Sequence, residues 1–368
     1  MKLNDALANL TAYHSGPPLE AIRERYGLDH LVKLASNECP EGPFPEVVQA
    51  IAEAVGGLNR YPDGGATDLR SAVAEHVGVT PDRLVFGNGS CELLMLLGEA
   101  LLHKGTHVVF PDPSFVVYRN IAMSREASFG AVPLKAHRHD LEAMTQAITG
   151  DTRLLIVCNP NNPTGTYLPP PELLDFLQGV PSDVVVVLDE AYTEYVTDPR
   201  HVDSMGWLDE FPNLIILRTF SKIYGLAGLR VGYGITHRPL VEAIDKIRQP
   251  FNLNALAQVA ATTALAHPEW VDARRAHVAA ERTRIGAGLD SLGIEHVPSE
   301  ANFLFLRVEG LPVPGKEVPQ ALLERGVMTR SGYAMGCPGW LRLTIGSTEE
   351  NDLFLRLLTD IAGGRTEA

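Results

Sequence analysis

Cysteine is scarce. The four residues Cys39, Cys91, Cys158 and Cys337 stand far apart without a C-x-x-C pair, so neither a zinc site nor a disulfide framework is indicated. No metal is expected, and the thiols suit a reduced, cytosolic setting. Long apolar runs are missing too: no window approaches the roughly 20 residues that span a bilayer. The opening MKLNDALANLTAYHSGPP has no apolar core of a secretory leader, so a cytoplasmic location is expected. Positive charge is in deficit, with 31 Lys and Arg against 45 Asp and Glu and a formal charge of −14. Such a chain repels phosphodiester backbones and anionic lipid, which leaves nucleic acid and membranes outside the expected partners. Any anionic ligand must be held by cations gathered locally.

What is present is an ordinary globular composition, 45% hydrophobic and 21% charged, over 368 residues. That length exceeds what one compact core usually holds, so two packed units with a cleft between them are expected. Short β-branched runs, DRLVFGNGS, THVVFPDPS, TRLLIVCNPNNPTG, DVVVVLDEAY and NLIILRTFS, end in turn-forming or polar residues, as strands buried on both faces do. Helical stretches such as CELLMLLGEALLHKG and PPELLDFLQGV lie between them. The alternation predicts an α/β unit with a doubly wound, mostly parallel sheet over residues 31–250. From about residue 256 the pattern changes to a long charged helix and a few strands, which predicts a smaller α+β unit over 251–368. Residues 1–30 are expected to form an arm packing on that smaller unit.

Ligands of such sheets sit beyond the carboxyl ends of the strands, and GNGS, NPNNPTG, DEAY and TFSK all fall there. The stretch RTFSKIYGLAGLRVGYG, residues 218–234, gathers Thr219, Ser221, Lys222 and Arg230 around a glycine-rich turn. Taken alone, Lys222 reads as a solvated surface charge, and Asp189, closing an apolar strand, as a helix cap or a core carboxylate satisfied by backbone donors. Their neighbours argue for chemistry instead.

SKIYGLAGLRVGY, with NPNNPTG and DEAY upstream, resembles the lysine segment of fold-type I, class-II aminotransferases that use pyridoxal phosphate. Through KLASNECPEGP, NRYPDGG, FGNGSCELL, DEAYTEY and LRLTIGSTEEN, the chain most resembles the histidinol-phosphate aminotransferase family. The resemblance implies roles residue by residue. Lys222 would condense with the aldehyde of the cofactor and, once freed, carry a proton between carbons. Nearby cations and an enclosed cleft would keep its amine neutral. Asp189 would hold the pyridine nitrogen protonated. Tyr192 and Asn162 would bond the phenolic oxygen, and Phe115 would stack on the ring. The phosphate would rest on the N–H groups of Ser90 and Cys91, where Gly87 and Gly89 permit the sharp turn, with Thr219, Ser221 and Arg230 completing the cup. Tyr61 would reach the phosphate of a second copy, implying a homodimer with shared sites.

Glutamate and 2-oxoglutarate are the substrate pair implied on one side, with Arg342 suited to their α-carboxylate. On the other side a substrate phosphate would meet Arg342, Arg330 and Tyr13. Aromatic amino-acid aminotransferases use much the same framework, and a phosphothreonine decarboxylase would share the lysine and the cup, so both remain alternatives. Cys39, in SNECP, and the residue before Tyr13 depart from the common family wording, which bears on substrate preference rather than on transamination. An effector-sensing regulator of this fold would need a DNA-binding domain ahead of residue 31, for which no room is expected.

Overall fold

The computed structural model describes residues 18–365 together with Ala6 and Leu10. Tyr13 therefore lies outside the described residues. Among the described residues twelve strands run in chain order: β1 Val32–Leu34, β2 Leu84–Gly87, β3 His107–Asp112, β4 Ser128–Pro133, β5 Thr152–Cys158, β6 Val185–Asp189, β7 Leu214–Thr219, β8 Gly232–Ile235, β9 His296–Val297, β10 Phe303–Arg307, β11 Val327–Ser331 and β12 Trp340–Thr344.

Seven of them form one sheet in the order β2-β8-β7-β6-β5-β3-β4. Every pairing from β7 to β4 is parallel, and β8 alone runs against its neighbours β7 and β2. Successive residues of a strand face opposite ways, and here both faces are dry. Leu155, Val157, Val186, Leu188, Leu214 and Ile216 join one apolar cluster, while Leu154, Ile156, Val187, Ile215 and Leu217 join the other. Helices cover both, with Ser90–Leu101, Val117–Ser124 and Arg238–Ile247 on one side and Pro170–Gln178 and Ala255–Leu265 on the other. The doubly wound architecture expected from the runs of Val, Ile and Leu is the one observed.

The second sheet has five strands in the order β1-β11-β12-β10-β9. It is backed by the long helix Pro268–Ser291 and the helix Thr348–Ala362, whose Ser347 and Glu350 form a capping box. Two expected boundaries shift. β1 pairs in parallel with β11, so residues 32–34 belong to the smaller sheet and not to the large unit. The helix Ala255–Leu265 packs on the helices Pro45–Ala54 and Thr67–Val77, so the large unit extends past residue 250. Both shifts have the same cause. A three-residue strand and an alanine-rich helix carry no pattern that names a partner, and packing decides. Tyr26 Oη accepts from Gln320 Nε2 at 2.9 Å.

The large sheet also buries an ion pair. Arg218 Nε donates to Glu190 Oε2 at 2.9 Å, Ser204 Oγ donates to Glu190 Oε1 at 2.6 Å, and Arg218 Nη2 reaches Asp203 at 3.1 Å. Both side chains of the pair are nearly inaccessible. Removing one partner of a buried pair leaves an uncompensated charge. Glu190→Ala is therefore expected to lower the unfolding free energy by about 3 kcal/mol in a urea titration, and pairing Glu190→Leu with Arg218→Met to recover most of the loss.

Candidate active site

β7 ends at Thr219, and the chain reverses through residues 220–231 to return as β8. Phe220, Ile223 and Leu226 anchor this loop in the core, at 0, 0 and 1% exposure. Phe220 N donates to Val231 O at 3.1 Å, closing the loop at its base. The apolar anchors turn Lys222 toward the cleft. Its Nζ donates to Ser36 O at 3.3 Å and lies 5.6 Å from the centre of the Tyr192 ring. Burial, and next the cation of Arg342, bring the amine down to about 8, so near neutrality a useful fraction is unprotonated.

Asp189 closes β6, in register with Cys158 of β5 and Leu217 of β7. Its Oδ2 accepts from Tyr118 Oη at 2.7 Å and its Oδ1 from Ala191 N at 3.2 Å. Burial nonetheless pushes this carboxyl above its usual range, with the Tyr118 bond opposing. A dry carboxylate of this kind gains most from a nearby cationic hydrogen-bond donor. Phe115, half-buried at the start of the same helical turn, meets Tyr118 edge to face at 5.8 Å.

The cup predicted for a phosphate is assembled at the neighbouring strand ends. The helix Ser90–Leu101 starts from Gly89, which has φ 80° and offers no side-chain cap, so the N–H groups of Ser90 and Cys91 have no intrahelical acceptor. Arg230 folds over this turn; a Cβ on Gly89 would stand 2.5 Å from its Nη2. A Cβ on Gly232 would stand 2.6 Å from Ser90 N, so β8 can pass beneath the helix start only as glycine. Arg230 Nη1 donates to Ser221 Oγ at 3.5 Å, and Ser221 N donates to Thr219 Oγ1 at 3.1 Å. Among the described residues no carboxylate pairs with Arg230. Free N–H groups, two hydroxyls and a guanidinium without a counter-ion suit a phosphate.

Three consecutive residues from the turn after β1 hold the other parts together. Ala35 O accepts from Arg342 Nη2 at 2.7 Å, Ser36 O accepts from Lys222 Nζ, and Asn37 Nδ2 donates to Tyr192 Oη at 3.0 Å. Arg342 Nη1 also donates to Asn162 Oδ1 at 2.6 Å and its guanidinium lies 5.4 Å from the Phe303 ring centre. Arg330 of β11 stands directly opposite Arg342 of β12, and directly opposed residues share a face of the sheet. A cleft of about 430 Å³, lined in part by Lys33, Glu38, Gly225, Ala227 and Thr344, opens beside the lysine loop.

The predicted residues Lys222, Asp189, Tyr192, Asn162, Phe115, Ser90, Cys91, Thr219, Ser221 and Arg230 thus lie at or just beyond strand ends of the large sheet, while Arg342 reaches Asn162 from the middle strand of the smaller sheet and Arg330 stands opposite it. Tyr61 does not join the cup of its own chain. Its ring is 83% exposed and stacks on Phe251 at 4.7 Å. Sequence reasoning assigned no role to Tyr118 or to Ala35, Ser36 and Asn37. Tyr118 had a signal, a tyrosine three residues after Phe115 entering a helix. The backbone carbonyls of residues 35 and 36 had none.

Residues 29–358 match the family model described as aminotransferase class I and II. A histidinol-phosphate aminotransferase of Brevibacillus brevis is 43% identical over 364 residues, 99% of each chain. One of Geobacillus thermodenitrificans is 46% identical over 96% of each. Among solved structures, the histidinol-phosphate aminotransferase of Sinorhizobium meliloti in complex with pyridoxal-5'-phosphate superposes with a TM-score of 0.90, at 28% identity and with 99% of this chain and 98% of that one covered. No helix among the described residues is long and apolar enough to cross a membrane.

The electrostatics of Lys222 can be tested directly. In cofactor-free protein the pH midpoint for acylation of Lys222, followed by peptide mass spectrometry, is expected near 8. Arg342→Ala removes a neighbouring cation and should move that midpoint upward; an unchanged midpoint would mean that burial acts alone.

Proposed function

Given that the chain belongs to the class I and II aminotransferases, we propose that it exchanges an amino group between histidinol phosphate and 2-oxoglutarate. The products are the corresponding ketone phosphate and glutamate. The cofactor is pyridoxal phosphate, which supplies the aldehyde that accepts the amino group and a ring that draws off the electrons of the broken Cα–H bond.

The side chains fit that group. Ser90, Cys91, Thr219, Ser221 and Arg230 would hold its phosphate, and the close approach that Gly89 and Gly232 permit is a cradle a larger residue would fill. Asp189, a buried carboxylate raised by desolvation, would gain a cationic partner in the ring nitrogen. Phe115 would lie against the ring, and Tyr192 and Asn162 would meet the phenolic oxygen. Lys222, its amine brought down to about 8, would take the proton from the substrate Cα and deliver it to the carbon that had carried the cofactor's aldehyde. Burial keeps Tyr192 a phenol, its acidity well below the ordinary, so it acts as a donor throughout the working range.

The observation that carries the substrate assignment is the pairing of Arg330 with Arg342 across β11 and β12. Two guanidiniums on one face match a phosphate dianion better than a single carboxylate, and one of them, Arg342, can serve the α-carboxylate of glutamate when the second substrate enters. Relatives named for histidinol phosphate, at 43 and 46% identity, support the same reading. The exposed, stacked Tyr61 and Phe251 support a homodimer in which each chain reaches the other's site. The four free cysteines suit a reduced cytoplasm.

A substrate panel tests the assignment. Turnover of histidinol phosphate with 2-oxoglutarate is expected, and turnover of phenylalanine or tyrosine with none of histidinol phosphate would refute it. Carbon dioxide release without ketone would point to a decarboxylase. Arg330→Ala should cut kcat/KM for histidinol phosphate by about 10- to 100-fold, the loss of one charge-assisted bond, and affect the glutamate half-reaction less.

A further inference from the structure

Asn37, within the stretch KLASNECPEGP, stands out among the residues to which the sequence assigns no role. It is 1% exposed and holds φ 54°, a left-handed conformation that asparagine tolerates better than most residues. All of its polar groups are engaged. Its N–H donates to Thr344 Oγ1 at 2.9 Å, its carbonyl accepts from Asn302 Nδ2 at 3.1 Å, its Oδ1 accepts from Thr344 Oγ1 at 3.2 Å, and its Nδ2 donates to Tyr192 Oη at 3.0 Å. Thr344 and Asn302 belong to the smaller unit and Tyr192 to the large one.

The direction of these bonds matters. The Thr344 hydroxyl accepts one bond from the Asn37 backbone and has one proton, which goes to Asn37 Oδ1. That orients the amide so that its nitrogen, not its oxygen, faces Tyr192. A phenol has one proton and acceptor lone pairs. With a lone pair occupied by the Asn37 amide, the Tyr192 proton must be given elsewhere, and accepting one hydrogen bond strengthens the one donated. Tyr118, the other buried tyrosine of the site, instead spends its proton on Asp189.

We infer that Asn37 is a positioning residue that sets the proton polarity of Tyr192, forcing its hydroxyl to donate into the site, and that Thr344 and Asn302 fix Asn37 in that role. The inference rests on the role read above for Tyr192 at the phenolic oxygen of pyridoxal phosphate. Its consequence is that a residue of the smaller unit tunes the cofactor without touching it. Loss of the Asn37 amide weakens the Tyr192 donor and makes the anionic phenolic oxygen less stable. The effect has the same sign as loss of the Tyr192 hydroxyl, and is smaller.

The test is a pH titration of the visible absorbance of the protein loaded with pyridoxal phosphate, which reads the cofactor's ionisation rather than turnover. Asn37→Ala is expected to raise the midpoint by about half to one pH unit, the worth of one ordinary hydrogen bond. Asn37→Asp, which keeps the size and tolerates the same backbone but cannot donate when ionised, should raise it at least as far. Tyr192→Phe should raise it further, and adding Asn37→Ala to Tyr192→Phe should then change nothing. An unmoved midpoint in both Asn37 variants, or an equal shift with and without the Tyr192 hydroxyl, overturns the inference while leaving the Tyr192 assignment intact. An unmoved midpoint in Tyr192→Phe overturns both.

Discussion

The site depends on keeping an amine and a carboxylate apart. Asp189 is buried and Lys222 half-buried at the cleft, where an ion pair between them would be the simplest neutralisation. It does not form. Asp189 is turned toward Tyr118 and the Ala191 N–H, while Lys222 is turned toward the carbonyl of Ser36 with Arg342 among the cations around it. Burial acts on both in the direction of the neutral form, lowering the amine and raising the carboxyl. The amine thereby becomes a base, and the carboxylate is left with an unmet demand for a cation. Two adjacent parallel strands produce this separation, because β6 delivers Asp189 at its end whereas β7 runs on through Thr219 into the loop that carries Lys222.

The second constraint is a short turn. Ala35, Ser36 and Asn37 follow β1, which pairs with the smaller sheet, yet they contact Lys222 and Tyr192 of the large unit as well as Arg342 of the small one. A displacement between the two units therefore cannot leave the catalytic groups undisturbed. The contacts made through carbonyls of residues 35 and 36 tolerate any side chain, whereas the contact of residue 37 needs an amide and a left-handed backbone.

Much of this was legible in the sequence, and the reasons are physical. The β-branched runs read as strands buried on both faces, and the polar ends of such strands converge at one edge of a parallel sheet, which places Asp189, Asn162, Thr219 and Lys222 near one another. The anion at the turn of Gly89 and the lysine loop was implied by the family resemblance, since a glycine-rich turn before a helix says little by itself. What could not be read was partner choice across distance. The pairing of β1 with β11 had no signal, because three residues have no periodicity that reports a neighbour. β8, GYGI, alternates glycine with the buried Tyr233 and Ile235, and the reason for its first glycine shows only when Gly232 is found beneath Ser90. Tyr118 and Asn37 act through single hydrogen bonds to residues 71 and 155 positions away, and such bonds leave no local pattern.

The placement of Arg330 opposite Arg342 bears on selectivity through the charge of the whole chain. Like charges directly opposite on antiparallel strands repel, and they are tolerated here in a protein of formal charge −14. The net negative field lowers the cost of setting Arg330 opposite Arg342 and of bringing Arg230 and Arg342 near Lys222. It also means that a ligand of low charge leaves part of the repulsion between the two guanidiniums uncompensated. A dianion relieves it more completely than a carboxylate, and an apolar side chain does not relieve it at all. Discrimination between a phosphorylated substrate and an aromatic one can therefore arise from the cost of leaving Arg330 without a counter-ion, with no steric exclusion of the aromatic ring required.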